Sequence, residues 1–137
     1  MAEVDDRTEY ELPRRREPLV FEDRELGCVV RLDSWMQRKK VPGQKWELHA
    51  FGVNLSYMEL GDVPDGEFRD VLRYDCEHYH VEVHRFWESR HPVELEAFRD
   101  QPLGEAYRFC ERDLRRHYRD YIRKLRRRLG QNGEDGD

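Results

Sequence analysis

The stretch from Phe68 to Trp87 reads FRDVLRYDCEHYHVEVHRFW, and it constrains the fold more than any other part of the chain. Apolar side chains recur at every second position on both halves: Leu72, Tyr74 and Cys76, then Val81 and Val83. A period of two is the signature of strands with one buried face. The two arms therefore predict a β-hairpin. A four-residue turn, Cys76 to Tyr79, sets a register in which Phe68 faces Trp87, Leu72 faces Val83 and Tyr74 faces Val81. On the opposite side Arg73 then faces Glu82, and Asp75 faces His80. Apolar partners meet on one face and opposite charges on the other, each such pair contributing roughly 0.2–1 kcal/mol.

The flanking sequence supplies the rest of a small domain. Residues 1–18 are charged, carry Pro13 and Pro18, and read as a disordered arm, its "PRRREP" a solvated segment or a phosphate-binding one. Leu26, Cys28, Val30 and Leu32 alternate as a strand within residues 19–32. Residues 37–45, QRKKVPGQK, read as a basic Pro-Gly loop. A long strand spans 46–60, with Phe51, Val53, Leu55 and Tyr57 on one face, Asn54 and Ser56 on the other, and Gly52 as a candidate bulge. GDVPDGE, 61–67, is a turn.

Residues 91–102 predict a short helix between Pro92 and Pro102. From Leu103 onward apolar residues step by three and four through Tyr107, Cys110, Leu114, Tyr118, Tyr121, Leu125 and Leu129. This predicts a long amphipathic helix ending at Gly130, followed by a disordered acidic tail over 131–137. The expected organisation is one α+β domain over 19–130. It is an antiparallel β-meander of three to four strands, with C-terminal helices packed on one face and the other face open.

At 137 residues, with 40% charged and 37% hydrophobic side chains, the chain has material for one small core. The formal charge of −5 is segregated: residues 101–137 carry ten Arg/Lys against seven Asp/Glu, leaving −8 for the remainder. That balance argues against general affinity for nucleic acid while leaving one basic face able to meet phosphates. Cys28, Cys76 and Cys110 are dispersed and odd in number, which suits a reducing cytosol and no disulfide framework. No apolar run approaches a membrane span and the first residues lack a signal-like apolar region, so a cytoplasmic chain without membrane partners is expected.

The open face carries the candidate chemistry. His80 and His84 lie four residues apart on a strand, about 13 Å between Cα atoms, too far to ligate one ion together. His78 falls in the turn. No metal or cofactor is therefore expected. Asp75 opposite His80 would fix the imidazole's tautomer and favour its charged form, and Arg73 alongside could hold a phosphate. A histidine with an arginine is a minimal set for metal-free RNA cleavage. The same alternation is also what a solvated sheet face presents, and both readings stand. His80, Asp75, Arg73 and His84 are the candidate catalytic residues. The helix arginines from Arg108 to Arg128 serve either as a solvated face, with pairs such as Glu111–Arg115, or as phosphate contacts. No GxGxxG, Walker loop, GxSxG, HExxH or CxxC is present, which removes the usual dinucleotide, nucleoside-triphosphate and hydrolase motifs.

Over LRYDCEHYHVEVHRF the chain resembles a group of small prokaryotic proteins of unknown function. In these, an Arg-Tyr-Asp strand turns through a His-containing tip into a His-x-His or His-Arg-Phe strand. It is more distantly similar to TumE-type toxins of toxin–antitoxin pairs. The resemblance spans roughly residues 46–129 and implies a small cytosolic domain, a metal-independent ribonuclease toxin held by an antitoxin. It maps onto Arg73, Tyr74, Asp75, His80 and His84. Tyr79 and Glu77 stand at the tip where the pattern has a Gly beside the His. The alternative is a non-enzymatic interaction module that joins a second copy or another small protein through the long helix. The partner classes are then RNA, an antitoxin or other small protein, and a second copy.

Overall fold

A computed structural model describes residues 7–61, 67–77, 80–88 and 92–133, with side chains except at 77 and 131–133. The fold is α+β, one antiparallel sheet and one long helix. The sheet has eight strands rather than three or four: β1 Glu9–Tyr10, β2 Arg14–Arg15, β3 Leu19–Asp23, β4 Cys28–Lys40, β5 Glu47–Glu59, β6 Arg69–Glu77, β7 His80–Arg85 and β8 Val93–Glu94. The path runs β1-β4-β5-β6-β7-β8, with β2 and β3 also paired along β4. Helix α1 spans Leu103–Gly133 and lies across one face.

β4 does most to enlarge the sheet. Thirteen residues long, it takes in residues 37–40 of the segment read as a basic loop and leaves 41–45 as the loop, and three short N-terminal strands line up along it. The segment read as a loose arm is pinned there from Glu9 onward. Arg14 and Arg15 pair with Met36 and Trp35, and Glu11 binds Arg38 through both carboxylate oxygens. Each added pair satisfies backbone groups on what would otherwise be a bare edge.

The hairpin forms, two positions from the expected register. Arg73 faces His84, Tyr74 faces Val83, Asp75 faces Glu82 and Cys76 faces Val81, with the ladder reaching Glu77 and His80. A shift of two keeps every side chain on its face, since the period is two. It sets Cys76 opposite Val81, both at most 2% exposed, and Leu72 opposite Arg85 in place of Val83. Of the expected turn, Cys76 to Tyr79, the first two residues belong to β6 instead, and positions 78 and 79 lie outside the described residues, as does most of the 61–67 turn.

A bulge at Val71 changes the other end. Leu55 pairs with Leu72 and Ser56 with Asp70, so Val71 is skipped, and Val71 and Leu72 are both buried. Beyond the bulge the facing reverses. Phe68 thereby leaves the core side and meets Arg31 on the open face, which ends its expected pairing with Trp87.

The short helix expected over 91–102 is replaced by β8 and a 3-10 turn, Glu96–Phe98. Val93 pairs with Val83, and the Leu95 N–H donates to the Val81 carbonyl. A segment this short between two prolines gains little as a helix, whereas the β7 edge offers ready-made partners. The long helix runs past Gly130 to Gly133. Of its expected stripe Leu103, Tyr107, Cys110, Leu114 and Leu125 are buried and Tyr118, Tyr121 and Leu129 are partly buried; Ala106 and Ile122 join them in one core with Phe51, Leu55, Tyr57, Leu72 and Val83.

The charge segregation is resolved inside the molecule. Arg119 and Arg123 bind Asp23 and Glu25, and Arg126 forms a two-pronged pair with Glu59. Asp23 is the buried anchor, its side chain 1% exposed. Burial pushes its carboxyl up, but hydrogen bonds from the Tyr118 hydroxyl, the Leu26 N–H and Arg119 outweigh this and bring it down to about 2. A folded pKa below the unfolded 3.8 adds stability that is complete above about pH 4 and disappears as pH falls towards 2. The expected contribution is about 2 kcal/mol. Urea melts between pH 6 and 2 should lose that much in the native protein, and Asp23→Asn should lack this loss and start lower at pH 6.

Candidate functional site

The face of the sheet away from α1 is built by the alternate residues of four strands. β4 contributes Arg31, Asp33 and Trp35, β5 contributes Gly52 and Asn54, β6 contributes Arg73 and Asp75, and β7 contributes Glu82 and His84. The register sets them in rows: Trp35, Gly52, Asp75 and Glu82 in one, Asp33, Asn54, Arg73 and His84 in the next.

Gly52 is not a bulge. Its missing side chain lets the Trp35 indole lie across β5, with Cδ1 and Cε2 at 2.9 Å from where a Cβ would stand and Nε1 nearer still. Around this flat floor is a cup of about 360 Å³, walled by Arg15, Arg31, Arg73, Asp33, Asn54 and Asp75. Arg31 is held by Asp33 at 3.0 Å, and Arg73 reaches Asp70 at 3.4 Å. Arg15 makes no ion pair among the described residues. The Asn54 amide donates to Asp70 at 3.1 Å, and its oxygen has no partner among the described residues.

Aromatic rings flank the cup and each carries a guanidinium. Arg31 lies over Phe68 and Arg73 over Phe86, both 5.5 Å from the ring centre. The His84 ring stacks on Phe86 at 3.9 Å and 21°. The two arginine contacts each set a planar cation against a planar ring, favourable by about 0.5–1 kcal/mol at a half-exposed site.

The sequence-derived residues divide differently from expectation. Arg73 and His84 face each other. Asp75 lines the cup but faces Glu82, so it is not the cross-strand partner of His80. His80 lies at the hairpin end, its Nδ1 2.9 Å from Glu94 Oε2. The hydrogen bond from His80, followed by Arg99, holds the Glu94 carboxyl below its usual range. Trp35, Arg31, Phe68 and Phe86 were not anticipated at this site, and Arg15 was covered only by the phosphate-binding reading of PRRREP. Alternation does continue through Val29, Arg31, Asp33 and Trp35, which was the available signal for the first two.

Among the described residues no three His, Cys, Asp or Glu side chains are grouped to hold a metal ion. No helix is long and apolar enough to cross a membrane. The face thus combines anion-binding guanidiniums, planar rings and a histidine opposite an arginine. A family model described as a domain of unknown function (DUF7718) matches residues 21–131. No curated protein and no solved structure matches.

Proposed function

The chain belongs to this family of domains of unknown function, and we propose that it is a cytoplasmic RNA-directed domain that binds single-stranded RNA on its open sheet face. The observation that carries this reading is the interleaving of Arg15, Arg31 and Arg73 with Trp35, Phe68 and Phe86 on one face. Unpaired bases stack on exposed rings and guanidinium planes, at about 1–3 kcal/mol per base, while arginines track the phosphates. The cup takes a phosphate between the three guanidiniums, and the flanking ring pairs take the bases. The acidic residues nearby, Asp33, Asp70, Asp75 and Glu82, keep the affinity modest and set aside duplex binding. Fluorescence polarisation with a labelled single-stranded RNA 12-mer should give saturable binding. Arg73→Ala should weaken it at least tenfold and reduce the salt slope by about one contact. Equal affinity in wild type, Arg73→Ala and Arg31→Ala would remove the reading.

A second reading, a toxin-like metal-independent ribonuclease restrained by a partner antitoxin, is favoured by one further observation: Arg73 stands directly across the ladder from His84. In that reading His84 moves the proton and Arg73 stabilises charge on the phosphate. The role first given to His80 passes to His84, because His80 is engaged with Glu94. RNA cleavage in excess EDTA, abolished by His84→Ala and retained in His80→Ala, is the expected pattern. The interaction-module alternative has less support: the apolar stripe that would join another copy is covered by the chain's own sheet.

A further inference from the structure

A second concavity lies on the helix side, between the β7–β8 edge, the 3-10 turn and the first half of α1. Its volume is about 820 Å³, the size of a site for one small molecule. Leu95, Ala97, Phe98 and Phe109 form an apolar wall. Phe109 is 46% exposed, its ring 5.0 Å from that of Phe98. Together with the apolar wall it gives a ligand's body a contiguous surface to bury.

Three guanidiniums line the same cleft: Arg85, Arg108 and Arg112. None forms an ion pair among the described residues, unlike Arg119, Arg123 and Arg126 further along the helix. Arg85 is the informative one. It projects from β7 on the helix side of the sheet, is half-buried, and lines the cleft beside the Tyr74 hydroxyl. That hydroxyl already donates to Asp113 at 2.7 Å. Arg85 forms no ion pair among the described residues, so its donors are free to meet an anion in the cleft, with Asp113 engaged by the Tyr74 and Tyr121 hydroxyls. The carboxylates at the cleft are Glu94, committed to His80 and Arg99, and Glu96 and Glu105.

We propose that this cleft is a binding site for a small amphipathic carboxylate, its aliphatic or aromatic body against Phe98 and Phe109 and its head on Arg85, Arg108 and Arg112. The site is separate from the open face, lying on the other side of the sheet, and does not depend on how that face is read.

The test uses the full chain and the aromatic anion 8-anilinonaphthalene-1-sulfonate as probe. Its fluorescence should rise several-fold and saturate at one site per chain in protein that melts cooperatively. Arg85→Gln should weaken binding at least fivefold. Phe109→Ser, at a position 46% exposed, should do the same in protein that still melts cooperatively. Dodecanoate should displace the probe. The proposal is overturned if the probe does not bind, or if Phe109→Ser binds it as wild type does. Displacement by an acidic Leu/Phe-containing peptide but not by dodecanoate also overturns it, by giving the cleft to a protein segment.

Discussion

Gly52→Val is expected to weaken the proposed RNA binding more than twentyfold while lowering stability by only about 1–3 kcal/mol. The physical reason is local. Gly52 sits in β5 between Trp35 and Asp75, and the Trp35 indole occupies the space a side chain would need. Even a Cβ collides with the indole, so Trp35 must swing away from β5. The floor of the cup is then a branched aliphatic group in place of a planar ring. Arg15, the cross-strand partner of Trp35 on β2, then lines a cup without its planar floor. Gly52 has no left-handed backbone requirement, since the positive φ values belong to Gly27, Gly43 and Gly61. The substitution therefore acts through space and not through strain. Gly52→Val/Trp35→Ala separates the effects: it should regain most of the stability and none of the binding. Urea melts and fluorescence polarisation on the same samples read both.

Asp113→Ala lowers stability by about 2–4 kcal/mol, with Tyr74→Phe costing about 1 kcal/mol. Asp113 on α1 accepts the hydroxyls of Tyr74 on β6 and Tyr121 on α1, each at 2.7 Å on one carboxylate oxygen. Tyr74 is 6% exposed, and burial first, then the adjacent carboxylate, drives its hydroxyl far above the usual tyrosine range. Removing the acceptor strands a buried donor. Removing the donor leaves Asp113 with Tyr121 and water. The asymmetry is the check: Tyr74→Phe/Asp113→Ala should be less destabilised than the sum of the single variants, because the stranded hydroxyl is gone. Additive losses would mean that the bond does not tie the helix to the sheet.

How much of this was legible in the sequence follows from which forces are local. The strand around Phe51–Tyr57 and the helix stripe from Leu103 to Leu125 were readable because each buries one face along a regular period. The hairpin's faces were readable for the same reason. Its register was not, since a two-residue slip leaves every apolar position on its face. That slip moved Asp75 away from His80 and brought Arg73 to His84, so the candidate site changed while the fold class did not. Val71 and Leu72, two adjacent apolar residues, held a hint of the bulge that turned Phe68 outward. The pairing of Arg15 with Trp35 depends on which strand the arm finds, and no local pattern encodes it. Gly52 was noticed for the wrong reason: a bulge was expected, and a close approach by a tryptophan from the neighbouring strand is what the structure has.

The central claim is that the open sheet face, and not the arginine-rich helix, meets the RNA. Backbone amide chemical shifts of the full chain during titration with a single-stranded RNA 12-mer test it directly. The account predicts that the largest changes fall on Arg31, Trp35, Gly52, Asn54, Arg73 and His84, with Arg108–Arg128 nearly unmoved. Changes concentrated on Arg108–Arg128, with Gly52 and Arg73 unshifted at saturation, would contradict it.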